Sequence, residues 1–275
     1  MGETTPSIQK VRAFWELHPV AAAAIPYPLG TAGYFECYDR LREANESLEF
    51  SYAIHEYRQF VGRTVLDVGC GNGYVLSKYA LEGAKAYGVD LTRTGVRLTR
   101  QRFGFLGLDG NLSVGSAEAL PFNNESFDCV CCMGVLHHTP NPKQAVQELF
   151  RVLKPGGRFI LMVYHRNSGL YRFSFPIRSL LLGKSMRQLV DEVDGAGNPK
   201  GEVYSKAQLR RLLKGFADVQ LFAGLLDRSM LWPKVGRLLP EPALRRLERY
   251  WGWFLYAKAS KTGVTAGAVR RPAVV

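Results

Sequence analysis

Val65-Leu66-Asp67-Val68-Gly69-Cys70-Gly71-Asn72-Gly73 is an apolar strand that breaks into a glycine-rich turn, with Asp67 two places ahead of the first glycine. Seventeen residues beyond Gly73, a second short strand, Ala86-Tyr87-Gly88-Val89, closes on Asp90. Two acids at the carboxyl ends of neighbouring strands, with a glycine turn between them, describe a pocket for an adenosine-type ligand. In open α/β sheets ligands bind where strand order reverses, and an acid after the second strand grips ribose hydroxyls.

The glycine spacing narrows the ligand. A nicotinamide site needs a third glycine where this chain has Tyr74, because that glycine lets helix and sheet touch. The ATP-cradling pattern, in which lysine and serine or threonine follow the turn, is missing from this turn. A nucleoside carrying little or no phosphate remains.

Four further stretches follow in order: Gly115-Ser116-Ala117-Glu118-Ala119-Leu120-Pro121-Phe122, Phe127-Asp128, Val135-Leu136-His137-His138, and Leu153-Lys154-Pro155-Gly156-Gly157. Together with the glycine turn and Asp90, these motifs over about residues 60–165 resemble the class I S-adenosylmethionine-dependent methyltransferases. The similarity is to the branch containing quinone C-methyltransferases and many small-molecule methyltransferases. The resemblance implies S-adenosyl-L-methionine as cofactor. It places Asp67, Gly69 and Gly71 on the methionine part, Asp90 on the ribose diol, Leu91 on the adenine face, and Ala117 and Glu118 at the adenine edge, with Gly134 beside the cofactor. Where this branch commonly has an aspartate before the alanine, this chain has Ser116, whose hydroxyl can still accept from the adenine amino group.

With 275 residues, 47% of them hydrophobic, the chain can bury a full core. It contains no apolar run of membrane-spanning length and opens on no signal peptide, so the expectation is a cytoplasmic protein. The five cysteines (Cys37, Cys70, Cys129, Cys131, Cys132) give neither a disulfide framework nor zinc spacing, and no metal ligands are assigned. Charge is unevenly placed. Residues 1–150 hold 13 Lys and Arg against 16 Asp and Glu, whereas residues 151–258 hold 20 against 8. A basic half suits an anionic partner or serves as a solvated face.

Strands expected at 64–68, 85–89, 111–114, 127–132 and 158–164 alternate with helices near 73–82, 93–104 and 142–152, the pattern of a parallel sheet with right-handed crossovers. Two last strands, 219–222 and 253–259, pair antiparallel at the edge. The fold class is therefore α/β: a Rossmann-like, seven-stranded, mostly parallel sheet with helices on both faces. Residues 1–60 form an N-terminal helical cover, with one helix at 8–18 and another from about Tyr34 to Phe60. Residues 61–259 form the catalytic domain, interrupted by a lid insertion at 165–204, and residues 260–275 form a flexible tail.

Methyl transfer from a sulfonium is an in-line displacement whose leaving group is already activated, so the protein mainly aligns and desolvates the reactants. His137 and His138, after the fourth strand, are the candidate catalytic residues, either positioning the acceptor or taking its proton. Their alternative role is to cap a short helix and pack beneath the cofactor. Tyr27, Tyr34, Tyr164 and His165 are candidates to reach inward, and Arg40 or Arg42 to fork the methionine carboxylate. Aromatic residues of the lid (Tyr171, Phe173, Phe175) and beyond it (Trp232, Tyr250, Trp251) favour an apolar acceptor. The expected activity is thus methyl transfer to oxygen, nitrogen or carbon of a small, partly apolar metabolite. The other readings are an RNA-modifying enzyme, a membrane-surface quinone or lipid methyltransferase using the basic stretch 170–190, and a non-catalytic cofactor-binding protein. The oligomeric state is left open.

Overall fold

The computed structural model describes residues 6–231 and 238–262. Eight strands form one sheet: β1 (Thr64–Val68), β2 (Lys85–Asp90), β3 (Asn111–Val114), β4 (Phe127–Met133), β5 (Leu153–His165), β6 (Val203–Tyr204), β7 (Ala217–Gly224) and β8 (Phe254–Ser260). Their order is β3-β2-β1-β4-β5-β8-β7, with β6 pairing only the end of β5. All neighbours are parallel except β8, which runs antiparallel to both β5 and β7. Strand order reverses between β1 and β4, which fixes where a ligand can sit.

Alternation along the central strands sorts the core into two layers. On β1, β4 and β5, Leu66, Val68, Val130, Cys132, Phe159, Leu161 and Val163 face one layer, packed by Ala145, Val146 and Leu149. Their neighbours Val65, Cys129, Cys131, Ile160 and Met162 face the other, packed by Tyr34, Tyr38, Tyr74, Tyr79 and Leu98. A period of two on strands buried on both faces produces this division. The cysteines accordingly serve as small core side chains, all free, with Cys129, Cys131 and Cys132 fully buried.

Helices begin where capping residues stand. Ser7 caps α1 (Ile8–Leu17), Thr31 caps α2 (Ala32–Asn45) and Ser47 caps α3 (Leu48–His55). Next come α4 (Tyr74–Leu81), α5 (Arg93–Leu106) and α6 (Pro142–Val152), the last two capped by Thr92 and Asn141. After β5 a π turn (Leu170–Ser174) leads into α7 (Phe175–Leu182) and α8 (Met186–Asp191). Ser205 caps α9 (Lys206–Leu212) in a reciprocal box with Gln208, and α10 spans Glu241–Trp251.

Four expectations need correction. The sheet has eight strands rather than seven, because the two-residue β6 joins β5 inside the insertion. Two residues are too few to leave a period. The single helix expected over Tyr34 to Phe60 is α2, α3 and a 3-10 turn at Tyr57–Phe60, split where Ser47 Oγ accepts from Phe50 N. β5 starts at Leu153, ahead of Gly156. The tail is not loose at its start: Ser260 closes β8, and Lys261 is buried, with its Nζ on Leu153 O at 2.8 Å. Residues 263–275 and Trp232 lie outside the described residues.

Candidate active site

A pocket opens at the carboxyl ends of β1, β2, β4 and β5. Its floor is the turn Gly69-Cys70-Gly71-Asn72, and its walls carry Asp67, Asp90, Leu91, Ser116, Ala117, Gly134, His137 and His138. Its roof comes from outside the sheet: Ile8, Val11 and Trp15 of α1, and Tyr34, Tyr38 and Arg42 of α2. Gly69 has φ +76°, and a Cβ on it would lie 2.1 Å from Val135 Cγ2, so the turn can pass beneath the β4 loop only as glycine. A Cβ on Gly71, with φ +54°, would meet only Gly69 O, at 3.9 Å.

The two acids, Asp67 buried and Asp90 half-buried, are differently occupied. Asp90 accepts from Gly71 N at 2.9 Å and from Thr92 N and Oγ1 at 2.8 and 2.6 Å, so it clamps the glycine turn as well as facing the pocket. Burial raises its pKa, against the pull of the Thr92 and Gly71 hydrogen bonds. Asp67 takes no hydrogen bond from any described residue. Burial, then the nearby Asp90 carboxylate, push its pKa up to about 7, although Arg42 works in the opposite sense. Arg42 is paired with Glu46 at 2.6 Å, yet its Nε has no partner, and Asn72 Nδ2 is likewise buried and unpaired. A pocket with two crowded carboxylates, a stranded guanidinium N–H and a stranded amide wants a ligand bearing positive charge, a carboxylate and hydroxyls. S-adenosylmethionine, with its sulfonium, amino acid and ribose, carries that set.

The other end of the pocket is built from β4, β5 and the insertion. His137 is fully buried, its Nδ1 without a partner, and burial followed by the neighbouring His138 holds its pKa well below the usual histidine range. His138 Nδ1 lies 2.5 Å from Lys200 O, and its Nε2 lies 3.2 Å from Asp194 Oδ2. Tyr164 donates its hydroxyl to the same Asp194 oxygen at 2.5 Å, and its ring lies 3.8 Å from that of His137. Trp15 meets His138 edge-on at 4.9 Å, bringing the roof down onto this cluster. Met133, Met162 and Phe254 complete an apolar surround.

Of the sequence-predicted residues, Asp67, Gly69, Gly71, Asp90, Leu91, Ser116, Ala117, Gly134, His137 and His138 all line this one pocket. Glu118 does not. Its carboxylate accepts from Asn141 N at 2.7 Å, tying the loop after β3 to the start of α6. Ser116 Oγ accepts from Glu118 N at 3.1 Å and keeps capacity for another bond. Arg42 and Tyr34 reach inward; Arg40 and Tyr27 are exposed, and His165 is buried elsewhere with Nδ1 on Gly252 O. The lid aromatics do not line the pocket either. Tyr171 and Phe175 pack with Tyr164 and Trp253 in a separate cluster, and Phe173 stacks edge-on with Trp251. The apolar lining comes from α1, Met133, Met162 and Phe254 instead. Sequence reasoning missed Asp194, which ends a 3-10 turn (Glu192–Asp194) just ahead of a glycine-bearing loop, with no period to flag it.

Residues 66–161 match the protein family described as "Methyltransferase domain". By that match these residues, about a third of the chain, are a methyltransferase domain. The domain is 36% identical over 114 residues to a ubiquinone biosynthesis O-methyltransferase of Azoarcus sp. (strain BH72), covering 41% of this chain and 49% of that one. It is 30% identical over 128 residues to a protein of the same name from Vibrio cholerae, covering 46% and 52%. The chain thus spans about half the length of the curated relatives it matches. In fold, the domain and its surroundings are similar to magnesium protoporphyrin IX methyltransferase of Synechocystis PCC 6803, with TM-score 0.58 and 15% identity over 93% of this chain and all of that one. They are equally similar to the [4+2]-cyclase SpnF, with TM-score 0.59 and 19% identity over 95% and 98%.

Proposed function

We propose that this chain transfers a methyl group from S-adenosylmethionine to an oxygen of a small, partly apolar acceptor. The observation that carries the cofactor is the pair of pocket-lining carboxylates, buried Asp67 and half-buried Asp90, on either side of the glycine turn. Asp67 with the turn holds the methionine part, Arg42 its carboxylate, Asp90 the ribose hydroxyls, and Leu91, Ser116 and Ala117 the adenine. A bound cofactor supplies an activated methyl. The chain's own residues align the acceptor, exclude water through the α1 roof, and face it with the His137, His138, Asp194 and Tyr164 cluster. Oxygen is favoured over nitrogen or carbon by the names of the curated relatives. The fold alone does not decide, since a cyclase shares it.

Calorimetry with S-adenosylhomocysteine, followed by a labelled-methyl screen of phenolic and quinol acceptors, tests this reading. Micromolar-range binding and transfer to a hydroxylated ring are expected; absence of cofactor binding would sink it. The cofactor's affinity should also depend on pH. Asp67 must be ionised to meet a cation, and its pKa stands at about 7. Below that value the dissociation constant should rise by about tenfold per pH unit, and above pH 8 it should level off.

A second feature bears on how an apolar acceptor arrives. Among the described residues no helix is long and apolar enough to cross a membrane. Leu180, Leu181 and Leu182 nevertheless stand 85%, 70% and 60% exposed at the end of α7, flanked by Arg178, Lys184 and Arg187. Adjacent leucines within a basic half suit shallow contact with an anionic lipid surface. Replacing Leu180 and Leu181 together by Glu should reduce co-sedimentation with phosphatidylglycerol vesicles by about tenfold or more and leave cofactor affinity unchanged. Equal sedimentation of the wild type and variant would remove this contact.

A further inference from the structure

We propose that His137, His138 and Asp194 bind a first-row divalent cation at the acceptor end of the pocket. The three residues are drawn from two separate places, the turn after β4 and the insertion after β5, and their ligating atoms all lie within 4.8 Å of one another. Metal–nitrogen and metal–oxygen bonds of about 2.0–2.2 Å would bring such atoms to within about 4.4 Å, a closure that small side-chain rotations provide.

The surroundings match those of a metal-binding histidine. His138 Nδ1 is set against the Lys200 carbonyl oxygen at 2.5 Å, and an N–H there leaves Nε2 as a bare lone pair facing Asp194 Oδ2 at 3.2 Å. A histidine held by a backbone carbonyl through one nitrogen, with the other free, is the usual supporting arrangement around a bound metal. His137 adds an unpartnered Nδ1 in a fully buried ring. Tyr164 supports Asp194 through its hydroxyl at 2.5 Å, fixing the carboxylate that the insertion contributes. Two imidazoles and one carboxylate favour zinc, cobalt, nickel or iron over magnesium or calcium.

The role of the cation rests on the proposed methyl transfer. Bound beside the methyl donor, it would take an acceptor hydroxyl as a further ligand and favour the oxyanion that attacks, the hydroxyl proton passing to solvent or buffer. Ring hydroxyls, singly or in adjacent pairs, are the acceptor class this arrangement selects.

Cation binding is measured without cofactor or acceptor, so it is separable from the activity. Tag-free, chelator-treated protein is titrated with Co²⁺, read by visible absorption, and with Zn²⁺, read by calorimetry. Thermal melts of Asp194→Asn and His137→Gln establish that both variants are folded. The expected result is one equivalent bound by the wild type, with affinity lowered by about 100-fold or more in both variants. No saturable binding, equal binding by both variants, or a thiolate-to-cobalt absorption that assigns the ion to cysteine would each overturn the site. Stoichiometric, variant-sensitive binding with no methyl transfer to any acceptor would leave the site standing and remove the reaction.

Discussion

Asp67→Asn should melt several degrees above the wild type at pH 8 and bind S-adenosylhomocysteine about 100-fold more weakly. The stability gain follows from where the acid sits. Asp67 is 3% exposed, without a hydrogen bond from any described residue, and its pKa is raised to about 7 by burial and then by Asp90. In the unfolded chain an aspartate titrates near 3.9. Between about pH 4 and pH 7 the folded protein therefore holds a proton that the unfolded one has released, and stability falls as pH rises through that window. Above it the loss is complete, of order 4 kcal/mol for a shift of about three units. A neutral amide of the same shape escapes this cost, so the gap between wild type and variant should close on acidification towards pH 5. Binding moves the other way, since a charge-assisted contact to the methionine amine is lost. Melts from pH 5 to 8 and calorimetry at pH 8 measure both. An Asp67→Asn protein that melts with the wild type at every pH, or binds the cofactor product equally well, would show that this carboxylate does not face the ligand.

The second large effect separates two glycines that look alike in sequence. Gly69→Ala places a methyl 2.1 Å from Val135 Cγ2 at φ +76°, whereas Gly71→Ala, at φ +54°, meets nothing nearer than Gly69 O at 3.9 Å. The first substitution adds overpacking to backbone strain and should cost about 2–5 kcal/mol. The second carries only the left-handed backbone cost of about 1–2 kcal/mol. On the proposed function both should abolish measurable cofactor binding, because both glycines line the pocket. Val135→Ala should restore much of the stability lost by Gly69→Ala and none of that lost by Gly71→Ala. Denaturant titration of the single and double variants checks this, and equal destabilisation by the two alanines would contradict the geometry.

What the chain discloses before folding follows the reach of local rules. The parallel strands were legible because each is apolar, short and punctuated, and the pocket because its floor and two acids lie within 26 residues, from Val65 to Asp90. Ten of the eleven residues assigned from the sequence line the pocket, and Glu118 misses because it points to Asn141 across a distance no spacing rule encodes. Asp194 was invisible for the same reason: it meets His138 from 56 positions away, on a three-residue 3-10 turn too short to leave a period. The lid aromatics misled because an aromatic residue near a pocket and one packing a satellite core read identically. Arg42 was found together with Arg40; only folding distinguishes the half-buried side chain paired with Glu46 from the one in solvent.

The way the roof is fastened has a kinetic consequence. Glu16, near the end of α1, receives Arg93 N, Thr94 N and Thr94 Oγ1 at 2.9, 2.7 and 2.6 Å, gripping the first turn of α5 directly after Asp90 and Thr92. One side chain thereby bolts a gangway over the crevice to the strand end that carries Asp90. On the proposed function, spent donor leaves and fresh donor enters past that bolt, so Glu16→Gln should change the rate of cofactor exchange, measured by stopped-flow, more than it changes the fold.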